Sequence, residues 1–114
     1  MFDALVTALQ ALGTPSAGRA TIPFLVGETN NAEPNYGTIR IVGEASAEWA
    51  DDEQVNQAFE GYVDVFIKKD DIQPIKAVQD VFRACGVSFE LYSIQHENYN
   101  KIVHYEWIFR LEAL

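Results

Sequence analysis

Apolar residues recur along the chain with two different periods, and the change from one to the other predicts both helices and strands. In the first dozen residues they stand three and four positions apart, which places one apolar stripe on a helix over about residues 1–12. A second helix is predicted after residues 70–71, with Pro74 in its first turn and Gly86 at its end. The stripe of this second helix has the same spacing and consists of Ile75, Val78, Phe82 and Cys85.

Alternation of apolar and polar residues predicts strands in much of the remaining chain. It is strictest in residues 59–67 and 103–111, and it predicts shorter strands at residues 38–42 and 87–92. Residues 21–26 are rich in strand-forming residues but contain a proline, which cannot donate to a ladder, so an edge or irregular strand is predicted there.

Together these elements predict a single α+β domain over residues 1–114. We expect two layers: a mostly antiparallel sheet of about four to five strands, with two helices packed on one face. The acidic and polar residues 43–57 are predicted to form a surface excursion between strands. The other sheet face would carry an unusually apolar group that suggests a subunit interface. This group consists of Tyr62, Phe66, Ile102 and Ile108.

Charge narrows the range of partners. Eight Lys and Arg against seventeen Asp and Glu give a net charge of −9. Affinity for nucleic-acid backbones comes mostly from cations, so this chain is predicted to be a poor nucleic-acid binder. An acidic membrane surface would repel it, and no signal peptide or membrane-spanning stretch is evident. The single cysteine, Cys85, lies on an apolar helical stripe, which predicts an inert buried thiol.

Candidate chemistry is sparse. The glycines form no phosphate-binding loop, and the chain has no nucleophile-elbow motif. A histidine stands beside a carboxylate at His96 and Glu97, and again at His104 and Glu106. In a strand His104 and Glu106 point the same way, but two ligands rarely suffice for a metal. A surface or interface role is favoured, and no catalytic residue, cofactor or metal site is predicted.

An acidic run, Asp51, Asp52 and Glu53, could attract a cation, since hard metals favour carboxylates. It lacks the ligand spacing and central glycine of a calcium loop, so a solvated loop is favoured. Beside it, Trp49 is a large aromatic residue in a polar segment. Such a residue either folds back on the core or is held for a partner.

The order of several segments resembles the tail-completion, or tail-terminator, proteins of long-tailed bacteriophages and prophages. The resemblance covers residues 45–112 and, more loosely, the first 44. The segments that carry it are Trp49-Ala50-Asp51-Asp52, the strand Tyr62-Val63-Asp64-Val65-Phe66-Ile67, the turn Lys68-Lys69-Asp70-Asp71, the helix end Cys85-Gly86-Val87, and Glu97-Asn98-Tyr99 before His104-Tyr105-Glu106-Trp107-Ile108-Phe109.

The resemblance implies assembly rather than catalysis. Members of the family are small α+β subunits that close into a ring, typically a hexamer, which caps the tail tube and ends its polymerisation. The ring also offers the surface for head joining. The expected partners are other copies of the chain, the tail tube protein and a head–tail connector protein. The expected location is the head-proximal end of the virion tail, and the host cytoplasm during assembly.

If such a ring encloses a DNA channel, an acidic wall would avoid trapping the passing polyanion. This predicts that several carboxylates line the lumen. The candidates are Asp51, Asp52, Glu53, Asp70 and Asp71.

Three alternatives compete with this interpretation. A head–tail connector, or neck, protein belongs to the same structural class. A small ligand-binding or enzymatic α+β domain would use the pairs His96/Glu97 and His104/Glu106, and a pocket converging on both histidines would favour it. An acidic adaptor that mimics nucleic acid would need its carboxylates on one face, whereas here they are spread along the chain.

Overall fold

Two helices, a short 3-10 turn and five strands make up the part of the chain that the computed structural model describes. That part comprises residues 2–15, 21–27, 34–50, 53–68, 72–97 and 101–112, with the backbone alone described for residues 44–50, 53–57 and 72. The elements are α1 (Phe2–Gln10), the 3-10 turn (Ala11–Gly13), β1 (Phe24–Val26), β2 (Tyr36–Ala50), β3 (Glu53–Ile67), α2 (Ile72–Ala84), β4 (Ser88–Glu97) and β5 (Ile102–Leu111).

The strands form one sheet in the order β1-β2-β3-β5-β4. All neighbours are antiparallel except β1, which runs parallel to β2. The chain leaves β3, forms α2, and returns as β4 on the far side of β5. The predicted two-layer α+β fold is confirmed, with the short parallel strand β1 making the sheet mixed.

Both helices pack on the same sheet face and close one core. From the helices, Leu5, Leu9, Val78 and Phe82 are completely buried. The predicted alternation of β3 and β5 is confirmed, since every second residue faces these helices. The buried strand residues are Ile39, Val63, Val65, Ile67, Val103, Tyr105, Trp107, Phe109 and Leu111. The indole Nε1 of Trp107 donates to Gln79 Oε1 of α2 at 3.1 Å, which satisfies the polar atom of this buried ring.

Helix α2 ends as its sequence predicts. Gly86 adopts a positive φ of 67°, a conformation that costs glycine little. Its backbone N–H donates to the Arg83 carbonyl, and the Val87 N–H donates to the Phe82 carbonyl. These two bonds form a Schellman motif, which turns the chain into β4. The Cys85 side chain is half-buried against the core.

The prediction of a surface excursion at residues 43–57 is wrong. Strands β2 and β3 are 15 residues long each, and their pairing continues through this segment, as at Ala47 opposite Gln57. Strand β5 pairs with β3 only from Phe59 to Ile67, and Phe59 lies opposite Glu44 of β2, so residues 45–50 and 53–58 extend beyond the sheet as a two-stranded ribbon. We call this ribbon the hairpin arm. The sequence of this segment is polar and lacks the alternation from which strands are predicted.

Strand β4 is longer than its sequence predicts. Strand β4 continues to Glu97 rather than ending near residue 92, and it pairs with β5 through Ile102. A register shift between Leu91 and Ser93 interrupts the ladder. Such a bulge changes which side chains face the core, which disturbs the alternation on which the prediction depended.

Candidate functional site

The predicted interface residues divide into two groups. Tyr62, Phe66, Ile102 and Ile108 all lie, half-buried, on the sheet face opposite the helices, as predicted. We call this face the open face, because none of the described elements packs over it. Of the remaining candidates, four lie outside the described residues: Asp51, Asp52, Asp70 and Asp71. At Trp49 and Glu53 the structure describes only the backbone.

Strand register brings residues distant in sequence into rows across the open face, since side chains of directly opposed residues share a face. One row holds Tyr36, Phe66 and His104, and the next row holds Thr38, Asp64 and Glu106. A third row holds Arg40, Tyr62 and Ile108. The centre of the open face therefore contains polar and charged groups between aromatic residues.

Stacked rings form the first of these rows. The centroids of Tyr36 and Phe66 lie 4.8 Å apart with 17° between the ring planes. Phe66 and His104 stack at 4.1 Å and 18°. In the third row the guanidinium of Arg40 lies over the Tyr62 ring, 5.0 Å from its centroid. The stack restricts the plane of the His104 imidazole, which faces its charged neighbours in a defined orientation.

A carboxyl–histidine cluster lies at the centre of the face and consists of Asp64, His104 and Glu106. The Nε2 atom of His104 lies 2.7 Å from Oδ1 of Asp64, and these two side chains are only 17% and 8% exposed. Glu106 forms a side-chain hydrogen bond with Asp64. One ligand atom from each of the three residues lies within 4.8 Å of the other two.

Two carboxyl groups this close cannot both be ionised without cost. Burial raises the pKa of Glu106, and the hydrogen bond with Asp64 and the Asp64 charge raise it further. The coulombic effects of His104 and Arg40 oppose this pKa shift only in part. The Glu106 carboxyl therefore keeps its proton to a higher pH than an ordinary glutamate does.

The charge of Asp64 also acts on Tyr36 in the neighbouring row. The pKa of the Tyr36 hydroxyl is raised, first by its burial and then by the charges of Asp64 and Glu97. Among the described residues, no buried side-chain polar atom lacks a hydrogen-bond partner. The cluster is therefore a satisfied polar network within an aromatic surround.

The two histidines do not converge on one site. His96 is exposed and stands opposite Val103, whose side chain faces the helices, whereas His104 lies on the open face. Only the pair His104 and Glu106 belongs to the cluster, and its third member is Asp64. A pocket built on both histidines, which would have favoured the enzymatic alternative, is not formed by these residues.

Sequence reasoning missed Asp64 and Arg40 as members of this site. The signal available was an acidic residue in the middle of the strand Tyr62-Val63-Asp64-Val65-Phe66-Ile67. Its importance depends on the partner strands, since Asp64 meets Thr38 on one side and Glu106 on the other. That register cannot be derived from the separate strands alone.

Exposed apolar side chains lie at both edges of the sheet. Strand β1, at one edge, exposes Leu25 by 42% and Val26 by 59%. Strand β4, at the opposite edge, exposes Tyr92 by 60% and Ile94 by 47%. Next to β1, Val42 of β2 is 46% exposed where β1 no longer pairs with its neighbour. Apolar side chains are thus concentrated at two different edges of one sheet.

The helices among the described residues are all too short or too polar to span a bilayer. No protein-family model matches this sequence, and no curated protein matches it significantly.

Proposed function

We propose that this protein is a structural subunit of a long-tailed phage tail. In this role copies of the chain form a ring that caps the tail tube, ends its polymerisation and presents the surface for head joining. The observation that carries the proposal is the hairpin arm, which extends away from the core of its own subunit.

The arm has the properties of an assembly element. Each of its strands continues for six described residues beyond the sheet, which is roughly 20 Å at the rise of an extended chain. A two-stranded ribbon is marginally stable by itself in water. Among the described residues no third strand pairs with it. A neighbouring subunit or the tail tube would supply the missing contacts.

The edges of the sheet support a ring. An interface that joins the β1–β2 edge of one copy to the β4 edge of the next would use two different surfaces. Such a heterologous interface closes into a ring when its rotation allows. The exposed apolar residues of these edges, among them Val26 and Tyr92, would be buried in that contact.

Two further observations agree with the proposal. Residues 45–112 resemble tail-terminator proteins in the order of their segments, and residues 49–50 and 62–67 of those segments lie on β2 and β3. The net charge of −9 would let a polyanion pass a ring without adhering to it.

The experiment is a capping assay with tail tubes assembled from the tube protein of the same phage. Electron microscopy should show the protein as a ring at one end of each tube, and its addition should stop tube growth. The matched variant replaces residues 46–57 with Asn-Gly, which closes the hairpin near the register pair Ser46 and Ala58. The core residues that the structure describes all lie outside the replaced segment.

The shortened variant should keep the circular dichroism spectrum and the melting cooperativity of the wild-type chain but should no longer cap tubes. Capping by both chains would show that the arm is dispensable and would overturn the argument from the arm. Binding to portal-bearing heads, with no binding to tubes, would favour the neck-protein alternative. Absence of binding to either structure by the folded wild-type chain would refute the proposal.

A further inference from the structure

We propose that Asp64, His104 and Glu106 form a binding site for one divalent transition-metal cation of the class of Zn²⁺, Co²⁺ and Ni²⁺. The site lies at the centre of the open face, and the inference does not depend on a role in tail assembly. It rests on the types of donor, on their geometry and on the charge that a cation would neutralise.

The donors are of the kind that these cations select. An imidazole nitrogen together with carboxylate oxygens is a common ligand set for zinc, and three protein ligands with one remaining position is typical of exchangeable sites. Here the His104 nitrogen and one oxygen from each carboxyl group already lie within 4.8 Å of one another. The mixed nitrogen and oxygen set disfavours Mg²⁺ and Ca²⁺, which prefer oxygen alone.

The geometry requires little rearrangement. Ligand atoms about 2.0–2.1 Å from a tetrahedral metal stand roughly 3.4 Å from each other. The Asp64–His104 contact of 2.7 Å would open slightly as the cation enters between the two atoms. Glu106 would move closer, which its long, half-buried side chain permits by rotation.

The surrounding residues hold the donors in place. Asp64 and Glu106 are directly opposed on the central strands β3 and β5, whose backbones are fixed by pairing on both sides. The His104 ring is stacked on Phe66, and Phe66 is stacked in turn on Tyr36. A preorganised donor set loses little conformational entropy when it binds a metal.

The charge of the donor set suits a dication, because two carboxylates and a neutral imidazole would balance a charge of +2. Arg40, which also acts on Glu106, has its guanidinium over the Tyr62 ring.

The test is a calorimetric titration of the untagged, chelator-treated chain with ZnCl₂, followed by an absorption spectrum with Co²⁺. One cation should bind per chain, and the Co²⁺ spectrum should show the intense visible bands of a tetrahedral complex. Glu106→Gln and His104→Gln should each weaken Zn²⁺ binding at least tenfold, because each removes one of three ligands.

Two control variants separate the site from general attraction to an acidic protein. Glu90→Gln removes the same charge from an exposed residue of β4 on the same sheet face. His96→Ala removes the other histidine. Both should bind Zn²⁺ as the wild-type chain does.

If His104→Gln unfolds the chain, Glu106→Gln still decides the question, since glutamine has the same shape and can donate to Asp64. The proposal would be overturned if the wild-type chain binds Zn²⁺ no more strongly than folded Glu106→Gln does. Equal losses in Glu90→Gln or His96→Ala would also overturn it.

Discussion

Gly61 lies at a point in the sheet where a side chain has no room. A Cβ atom there would stand 2.3 Å from the Arg40 carbonyl oxygen and 2.5 Å from the Phe109 ring. We expect Gly61→Ala to lower the free energy of unfolding by about 2–3 kcal/mol, as overpacking of a core does. Urea denaturation would measure the loss.

Gly43→Ala is the matched control for this substitution. A Cβ at position 43 meets nothing within 4 Å, so its effect should stay within about 0.5 kcal/mol. Equal effects of the two substitutions would contradict the close packing of β2, β3 and β5 around Gly61.

The raised pKa of Glu106 makes the free energy of unfolding depend on pH. Its pKa in the folded chain is raised above the ordinary value of 4.5, so the folded state binds more protons than the unfolded state between those two pKa values. The contribution of Glu106 to stability is therefore full below pH 4.5 and is lost as pH rises through the raised pKa.

Glu106→Gln does not titrate and should lack this loss. In metal-free buffer its stability relative to the wild-type chain should rise with pH from 4.5 upward and level off above the raised pKa. Denaturation at a series of pH values measures the difference. A difference that is constant with pH, or one that falls, would contradict the raised pKa of Glu106.

At the residue scale, the positions on the open face could be predicted from the sequence, but the carboxyl–histidine cluster could not. The positions of Tyr62, Phe66, Ile102 and Ile108 on one face follow from alternation within single strands, and that prediction is confirmed. The cluster of Asp64 with His104 and Glu106 depends on the pairing of β3 with β5, which no single strand encodes.

Among the elements, α2 has the clearest local determinants. Gly86 at its end has a φ of 67°, where a side chain costs about 1–2 kcal/mol. Gly86→Ala should lower the free energy of unfolding by about 1 kcal/mol or more. Gly86→Asn should cost less, because asparagine tolerates this conformation. A larger loss for asparagine than for alanine, measured by urea denaturation, would contradict the Schellman motif.

The hairpin arm shows where element prediction failed. Alternation reports burial on one side of a strand, and β3 alternates only where β5 pairs with it, from Phe59 to Ile67. In residues 45–50 and 53–58 the pairing joins two strands only and is interrupted by register shifts near Ser46 and Trp49. The residues there do not alternate, so their pattern did not predict these strands.

At the scale of the whole molecule, the layer arrangement was predictable because both helices carry one apolar stripe and the strongest strands alternate. The parallel placement of β1 beside β2 was not, since three residues with one buried side chain carry no information on direction. The result is a small core with an arm at one end, 53 Å in its longest dimension and 22 Å in its shortest. Such a shape leaves much of its potential contact surface to partners.

The claim that these surfaces join copies of the chain is tested most directly by native mass in solution. Light scattering on a sizing column, over a range of concentrations, should show a discrete closed oligomer. Six copies of the 12.8 kDa chain would weigh roughly 77 kDa. A wild-type chain that stays at the monomer mass across the whole range would contradict the claim.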